Sequence, residues 1–385
     1  MTELSTRRLV LVAENLDGRG GMDRVHADLI KSLSHKWDIT VVSATLPLEL
    51  RELVEWHRIP LPRRPAPLRY TCFFVLGGWR LRSLRGLVHV AGAVVPNRAD
   101  IASVHLCHAG LAEVTGRLAP ANAPLPRRVN TTVNRFLALA AERWCYRPTR
   151  LRRFHAVSNG VADELRTHYP GIPITVIPNA VDTDRFQPDR IVRARIRSEQ
   201  GITDDTVVAL FVAADWDHKG LDIAIDGVAL ASKECDYLEL WVVGSGDQSR
   251  FTDRAAMAGI PTRVKFFGWH ADPSSFYKAS DIFVLPSQYE AYPLVALEAA
   301  ACALPVVATA VNGVVELLGD NEAGMIVERD RDDLARALAA LALSADLRRS
   351  LGAEGRKRVQ SRGWDQVADR LGQQLEALAA TSRPF

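Results

Sequence analysis

Short apolar runs alternate with longer stretches of helical periodicity along almost the whole of this 385-residue chain, and that alternation restricts the fold more than any other feature. Strand-like runs separated by helix-length segments are the pattern of βαβ units and therefore of parallel sheets. In the first half the runs cover residues 8–13, 38–43, 87–91, 101–106, 154–158 and 174–178; in the second they cover 206–213, 237–243, 263–267, 281–286, 305–308 and 323–327. Between the two series lies the polar segment 179–189, which contains Pro188 and reads as a hinge. Beyond Asp330 the pattern is purely helical, and the proline-rich stretch 60–67 reads as an extended loop. A chain this long exceeds what a single core usually supports, so two domains are expected.

Composition removes several function classes. No stretch approaches the roughly 20 uninterrupted apolar residues of a membrane-spanning helix, and the apolar run behind Arg7 and Arg8 is short enough to be a first buried strand instead of a signal peptide. The expected location is the cytoplasm. Five cysteines, Cys72, Cys107, Cys145, Cys235 and Cys302, are odd in number and lack a Cys-x-x-Cys pair, which suggests neither a disulfide framework nor a zinc site. The net charge of +3 conceals an asymmetry: through Pro170 there are 25 Lys and Arg against 14 Asp and Glu, and beyond it 23 against 31. A basic first half suits an anionic partner, such as phospholipid headgroups, a phosphorylated acceptor or nucleic acid. Only 7 of the 48 basic residues are Lys, a skew that, with abundant Ala, fits a GC-rich genome better than selection for phosphate binding.

Chemistry concentrates in the second half. Glu290 and Glu298, in Glu290-Ala-Tyr-Pro-Leu-Val-Ala-Leu-Glu298, follow a strand-like run and bracket the start of an apolar helix. Side chains at that point of an open α/β sheet face the crevice where ligands bind. Together with Val264-Lys-Phe-Phe-Gly-Trp269, Ala279-Ser-Asp-Ile-Phe-Val-Leu-Pro-Ser287, Ala303-Leu-Pro-Val-Val-Ala-Thr309, Asn312-Gly313 and Glu316, the pair resembles the retaining nucleotide-sugar glycosyltransferases of family 4, also called group 1. The resemblance covers nearly the whole chain. It implies an α/β fold of the GT-B type: two doubly wound Rossmann-like domains facing a cleft, with a C-terminal helix returning to the first. The implied boundaries are 1–180 for the acceptor domain, 181–190 for the hinge, 191–362 for the nucleotide-sugar domain and 363–385 for the returning helix.

Residue by residue, the resemblance assigns roles around the donor. Lys219, followed by Gly220, contacts the diphosphate. The Arg that relatives carry a few residues earlier is missing from Ala213-Ala-Asp-Trp-Asp-His218, and a protonated His218 is a possible replacement. Glu298 accepts hydrogen bonds from the ribose, Glu290 meets hydroxyls of the donor sugar, and the amides of Ala291, Tyr292 and Leu294 line the phosphate side; Pro293 has no N–H. Gly244, after the strand-like run 237–243, borders the nucleobase pocket. Gly20 and Gly21, in a strand-to-helix turn, let the backbone approach the ligand. His108 approaches the reacting carbon, with His105 in reserve; a zinc site on these histidines is rejected for lack of a partner pair at ligand spacing. Lys219, Glu290 and His108 form the expected catalytic set. The acidic pairs Asp182 with Asp184 and Asp215 with Asp217 imitate an Asp-x-Asp metal motif, yet the first lies in the hinge sequence Ile177-Pro-Asn-Ala-Val-Asp-Thr-Asp-Arg-Phe186 of a family that uses no metal.

The implied function is metal-independent and cofactor-independent transfer of a hexose-type sugar, most readily from a UDP-sugar, to a glycan, lipid-linked or small-molecule acceptor of the cell envelope, with retention of configuration. No nucleic acid partner is implied. Cationic residues among Trp56, Phe73, Phe74 and Trp144 suit attachment to an anionic membrane surface. Two alternatives stay open: a nucleotide-sugar-binding protein without turnover, and a sugar-nucleotide epimerase of the same architecture.

Overall fold

The computed structural model describes residues 7–18, 20–116 and 125–381. The chain divides into two compact units, Met1–Asn179 with Trp364–Phe385 and Ala180–Gly363.

The first unit is built on β1 (Arg8–Val12), β2 (Asp38–Ser43), β3 (Glu55–Arg58), β4 (Leu87–Ala91), β5 (Ala99–Val104), β6 (Leu151–Ala156) and β7 (Ile174–Val176), in the order β3-β2-β1-β4-β5-β6-β7. Every pairing is parallel. Leu9, Val10, Leu11 and Val12 are all buried, because a parallel strand covered by helices on both faces has no side that can carry polar residues. The chain runs outward from β1 to β3 and then returns to β4 on the other side of β1. The reversal opens a crevice at the C-terminal ends of β1 and β4.

Two features differ from the sequence expectation. The edge strand β3 has no apolar run, since Glu55-Trp-His-Arg58 needs only one pairing edge and one covered face. The proline-rich stretch ends inside a helix, Ala66–Leu81, whose first turn holds Pro67, a position where the missing N–H costs nothing. Both β5 and β6 also begin before the apolar runs that mark them, at segments whose charges are hidden in pairs: Arg152 meets the largely buried Asp100 at 2.8 Å. Helix Trp364–Ala380 belongs to this unit. Its Leu371 and Leu375 are buried, and Asp369 pairs with Lys36 at 2.6 Å just beyond helix Gly21–Leu33.

The second unit contains β8 (Val207–Ala213), β9 (Leu238–Gly244), β10 (Val264–Gly268), β11 (Ile282–Leu285), β12 (Val306–Thr309) and β13 (Gly324–Val327), in the order β10-β9-β8-β11-β12-β13, again all parallel. Its core is closed by Phe211, Trp216, Ile225, Leu240, Phe251 and Leu338. Here the strand order reverses between β8 and β11.

Buried imidazoles distinguish the first unit. His26, His89 and His155 are buried, and the ring nitrogens of His105 are inaccessible to solvent. His155 Nε2 lies 2.9 Å from the carbonyl of Ile177, which can only accept, so this nitrogen carries the proton. Its Nδ1 then accepts from the Ser103 hydroxyl at 2.7 Å, and that oxygen accepts from His89 Nε2 at 2.7 Å. Burial pushes the pKa of His26 and His155 down to about 4, and moves His89 and His105 in the same direction. The unfolded chain takes up protons near pH 6.5 that the native unit refuses, so the stability these groups contribute is complete above pH 6.5 and declines as pH falls towards 4. His26 and His155 each account for roughly 3 kcal/mol of that decline. Thermal unfolding followed from pH 7.5 to pH 4.5 is expected to show the transition of the first unit falling steeply below pH 6.5; a transition that stays level to pH 5 contradicts a neutral cluster.

Candidate active site

The reversal point of the second unit carries a charged pair. After β8, Asp215 caps the short helix Trp216–Lys219, its carboxylate accepting from the His218 amide, while the Trp216 indole donates to the Ala213 carbonyl at 3.1 Å. Gly220 follows with φ +79°, and a Cβ there would stand 2.3 Å from the Pro286 carbonyl oxygen. Only glycine permits that contact, which holds the loop after β8 against the loop after β11. Within the second loop, the amide of Gln288 donates to the His218 carbonyl at 3.1 Å and Thr309 Oγ1 donates to the carbonyl of buried Ser287 at 2.6 Å. The result is a direct ion pair between Lys219 Nζ and Glu290 Oε1, with the carboxylate 8% exposed.

Further donor-side candidates lie in the same two loops and in the helix that follows the second. Ala291 and Tyr292 are buried, and the Tyr292 ring fills the space that a side chain at Gly313 would need. Burial pushes the Tyr292 phenol up to about 12, and Arg362 holds its hydroxyl at 2.5 Å. Leu294 opens helix Leu294–Ala301, whose first-turn amides and dipole face the loop that holds Glu290. Glu298 sits one turn further, 1% exposed, and accepts a 2.8 Å hydrogen bond from Tyr277 through Oε2. His218 contributes its backbone to the loop junction, and Arg250 reaches the same turn, pairing with Asp217 at 2.7 Å. Asp182 accepts from the amides of Asp184 and Arg185 in a turn. Among the described residues no cluster of three or more His, Cys, Asp or Glu is arranged to hold a metal ion.

Gly244 and Gly246 have a packing reason of their own. A Cβ on Gly244, whose φ is +128°, would lie 1.8 Å from the Ala213 carbonyl, and one on Gly246 would lie 2.3 Å from the Trp216 ring. The end of β9 is thus pressed against the exit of β8.

Gly20, Gly21 and His108 belong to the first unit. Gly20 is the N-cap of helix Gly21–Leu33, with extended φ and ψ and no side-chain cap. His108 opens helix His108–Thr115, and its Nδ1 lies 2.9 Å from Glu142 Oε1, which also accepts from the His108 amide at 3.0 Å. The other oxygen of Glu142 accepts from the Tyr169 hydroxyl at 2.8 Å. A carboxylate can only accept, so Nδ1 carries a proton and the ring is oriented with Nε2 turned away from Glu142, the same orienting logic as an Asp behind a catalytic imidazole. Glu142 was not visible as a site residue in the sequence; it lies on helix Leu125–Cys145, far along the chain from His108. Both His108 and His105 line a cavity of about 270 Å³ at the reversal point of β1 and β4.

Comparison with known proteins identifies the family and the fold. Residues 19–185 match the family described as Glycosyltransferase Family 4, and residues 192–358 match Glycosyl transferases group 1. The D-inositol 3-phosphate glycosyltransferase of Actinosynnema mirum is 31% identical over 297 residues, 73% of this chain and 68% of that protein. The chain belongs to the group 1, family 4 glycosyltransferases. A relative of the same name from Geodermatophilus obscurus is 35% identical over 228 residues, 54% of this chain and 50% of that protein. The match thus spans about half of that relative, and likewise 52% of the one from Saccharomonospora viridis. Among solved structures, WaaG, a glycosyltransferase involved in lipopolysaccharide biosynthesis, superposes with a TM-score of 0.80 at 18% identity, over 95% of this chain and 98% of that one. Sucrose-phosphate synthase from Thermosynechococcus elongatus gives 0.79 at 20%, over 98% and 100%. Anabaena HepE, solved in complex with UDP-glucose, gives 0.74 at 16%, over 96% and 99%. At these identities the likeness shows the fold, two Rossmann-like units of the GT-B class.

Because packing alone demands glycine at the end of β9, Gly244→Ala is expected to lower the stability of the second unit by about 2–4 kcal/mol, through backbone strain and overpacking. Denaturant unfolding measures it; a change below about 0.5 kcal/mol would show that the strand ends separate freely.

Proposed function

We propose that this glycosyltransferase moves a hexose-type sugar from a nucleoside diphosphate sugar, with UDP the favoured nucleotide, to an acceptor hydroxyl, with retention of configuration and without a metal. The observation that carries the reading is the Lys219–Glu290 pair at the point where strand order reverses between β8 and β11, the position where open α/β sheets bind ligands. Lys219 neutralises the diphosphate as the bond from its oxygen to the anomeric carbon breaks and the electron pair leaves with the phosphate. The amides of Ala291, Tyr292 and Leu294 support the same charge. Glu290 takes hydroxyls of the departing sugar, and Glu298 takes the ribose hydroxyls. Gly244 and His218 are assigned to the nucleotide, and Gly20, Gly21 and His108 of the first unit keep the roles that the family resemblance implies. The acceptor proton passes to the departing phosphate oxygen, so that no protein nucleophile is needed. HepE, of the same fold, was crystallised with UDP-glucose, which favours UDP over the other nucleotides.

Incubation with UDP-, GDP- and ADP-sugars should release the nucleotide slowly through donor hydrolysis. Lys219→Ala is expected to reduce turnover about 10²–10³-fold, and Glu298→Gln to raise KM with a smaller effect on kcat. Nucleotide-sugar binding without release from any donor would favour the non-catalytic alternative; turnover that survives Lys219→Ala rejects the assignment.

A second observation favours peripheral membrane attachment. Helices Ala66–Leu81 and Leu125–Cys145 of the first unit pack together and expose Leu68, Val75 and Trp79 on one and Val129, Val133 and Phe136 on the other, with Arg82, Arg128 and Arg143 nearby in sequence. No helix among the described residues is long and apolar enough to cross a membrane. Apolar side chains flanked by arginines suit the headgroup layer of an anionic bilayer. Co-sedimentation with phosphatidylglycerol vesicles, lost in phosphatidylcholine vesicles and weakened by salt and by Trp79→Ser with Phe136→Ser, is the expected result; equal partition in both lipids removes the membrane from the proposal.

A further inference from the structure

Hydrogen-bond acceptors make up part of the lining of the first unit's cavity. Glu14, Asp23 and Glu142 bring three carboxyl groups to it. Helix Gly21–Leu33 adds His26, whose Nδ1 lies 2.9 Å from the Met22 carbonyl and so carries the proton. The imidazole is neutral because burial disfavours its cation, which leaves a lone pair on Nε2. That nitrogen is buried and has no hydrogen-bond partner among the described residues, and His26 is part of the cavity lining. Asn134 Oδ1, from helix Leu125–Cys145, is likewise buried and without a partner among the described residues, and Asn134 belongs to the same lining. Buried polar atoms are almost always satisfied, so two orphaned acceptors on one cavity wall point to a ligand that donates to them.

Charge sharpens the choice. Among the described residues no Lys or Arg lines the cavity. The neighbouring cation, Arg69, is committed to Glu14 at 2.6 Å. Asp23 is crowded by burial, then by Asp17 and Glu14, which pushes its pKa up to about 7. An added phosphate or carboxylate would bring a further acceptor and a further negative charge beside these carboxyl groups, with no cation among the described lining residues to offset it.

We propose that this cavity receives an uncharged, hydroxyl-rich acceptor, a cyclitol or sugar that bears no phosphate or carboxylate. The assignment rests on the sugar-transfer reading only in calling the ligand an acceptor; the preference itself is a property of the cavity. It sets this chain apart from the relatives named for D-inositol 3-phosphate.

The test is a binding comparison on the full chain, by ligand-observed NMR without nucleotide, using matched pairs: myo-inositol with D-inositol 3-phosphate, glucose with glucose 6-phosphate, and mannose with mannose 6-phosphate. At least one uncharged member is expected to bind, and to bind ten-fold or more tightly than its phosphorylated partner. Asp23→Asn, compared at pH 8.5 where the Asp23 carboxyl is ionised, keeps the shape and removes one charge and should narrow that ratio at least three-fold, and in protein-observed spectra the His26 ring signals should shift on addition of the uncharged member. The proposal is overturned if no uncharged member binds, if a phosphorylated member binds as tightly as its parent, or if the ratio ignores Asp23→Asn. Nucleotide release from UDP-glucose, measured separately, reports on the transferase reading, so each idea fails independently.

Discussion

A parallel sheet wound in both directions from its middle cannot close its own centre. Where the crossover helices change face, two strands end side by side with no helix above them, and the loops that leave those strands must supply whatever fills the gap. Both units meet this constraint, the first between β1 and β4 and the second between β8 and β11. Each fills the gap with polar side chains instead of apolar ones. In the second unit the filling is one ammonium and one carboxylate held by tightly packed loops; in the first it is a cavity faced with carboxyl groups and neutral imidazoles. The two Rossmann-like halves therefore share an architecture and differ in the chemistry at the same topological position.

Legibility in the sequence followed the physics of burial. Strands covered on both faces, such as β1, β8 and β11, must be continuous apolar runs, and their positions could be read directly. The edge strand β3 escapes that requirement and left no signal in Glu55-Trp-His-Arg58. Glu290 and Lys219 were legible because each follows a strand within a few residues and belongs to a motif. Glu142 was not: its meeting with His108 is made by tertiary packing of helix Leu125–Cys145, and a lone Glu in a helix rich in charge carries no mark of burial. Nor could sequence show that Glu14, Asp23 and Glu142 share one wall, since they come from three separate elements.

Charge counting describes the exterior of the first unit and does not reach its cavity. The first half of the chain is strongly basic, which by itself suggests an anionic ligand. Its arginines, however, lie on the outer helices or are spent inside the fold, as Arg152 is on Asp100 and Arg69 on Glu14. Net charge describes the field around a surface; a pocket answers to the few groups that line it. The basic exterior and the acidic cavity are separate properties of one unit.

The path from His89 through the Ser103 hydroxyl to His155 and the Ile177 carbonyl crosses β4, β5 and β6. These strands are otherwise made largely of Val, Ile, Ala and Phe, which tolerate sliding past one another. A slip of one residue in any of them would turn a polar side chain towards the opposite face and strand its neighbours without partners in the interior. The relay works as a ratchet pin for sheet alignment: it adds little to the attraction between strands, but it raises the energy of every misaligned pairing and leaves the native one alone.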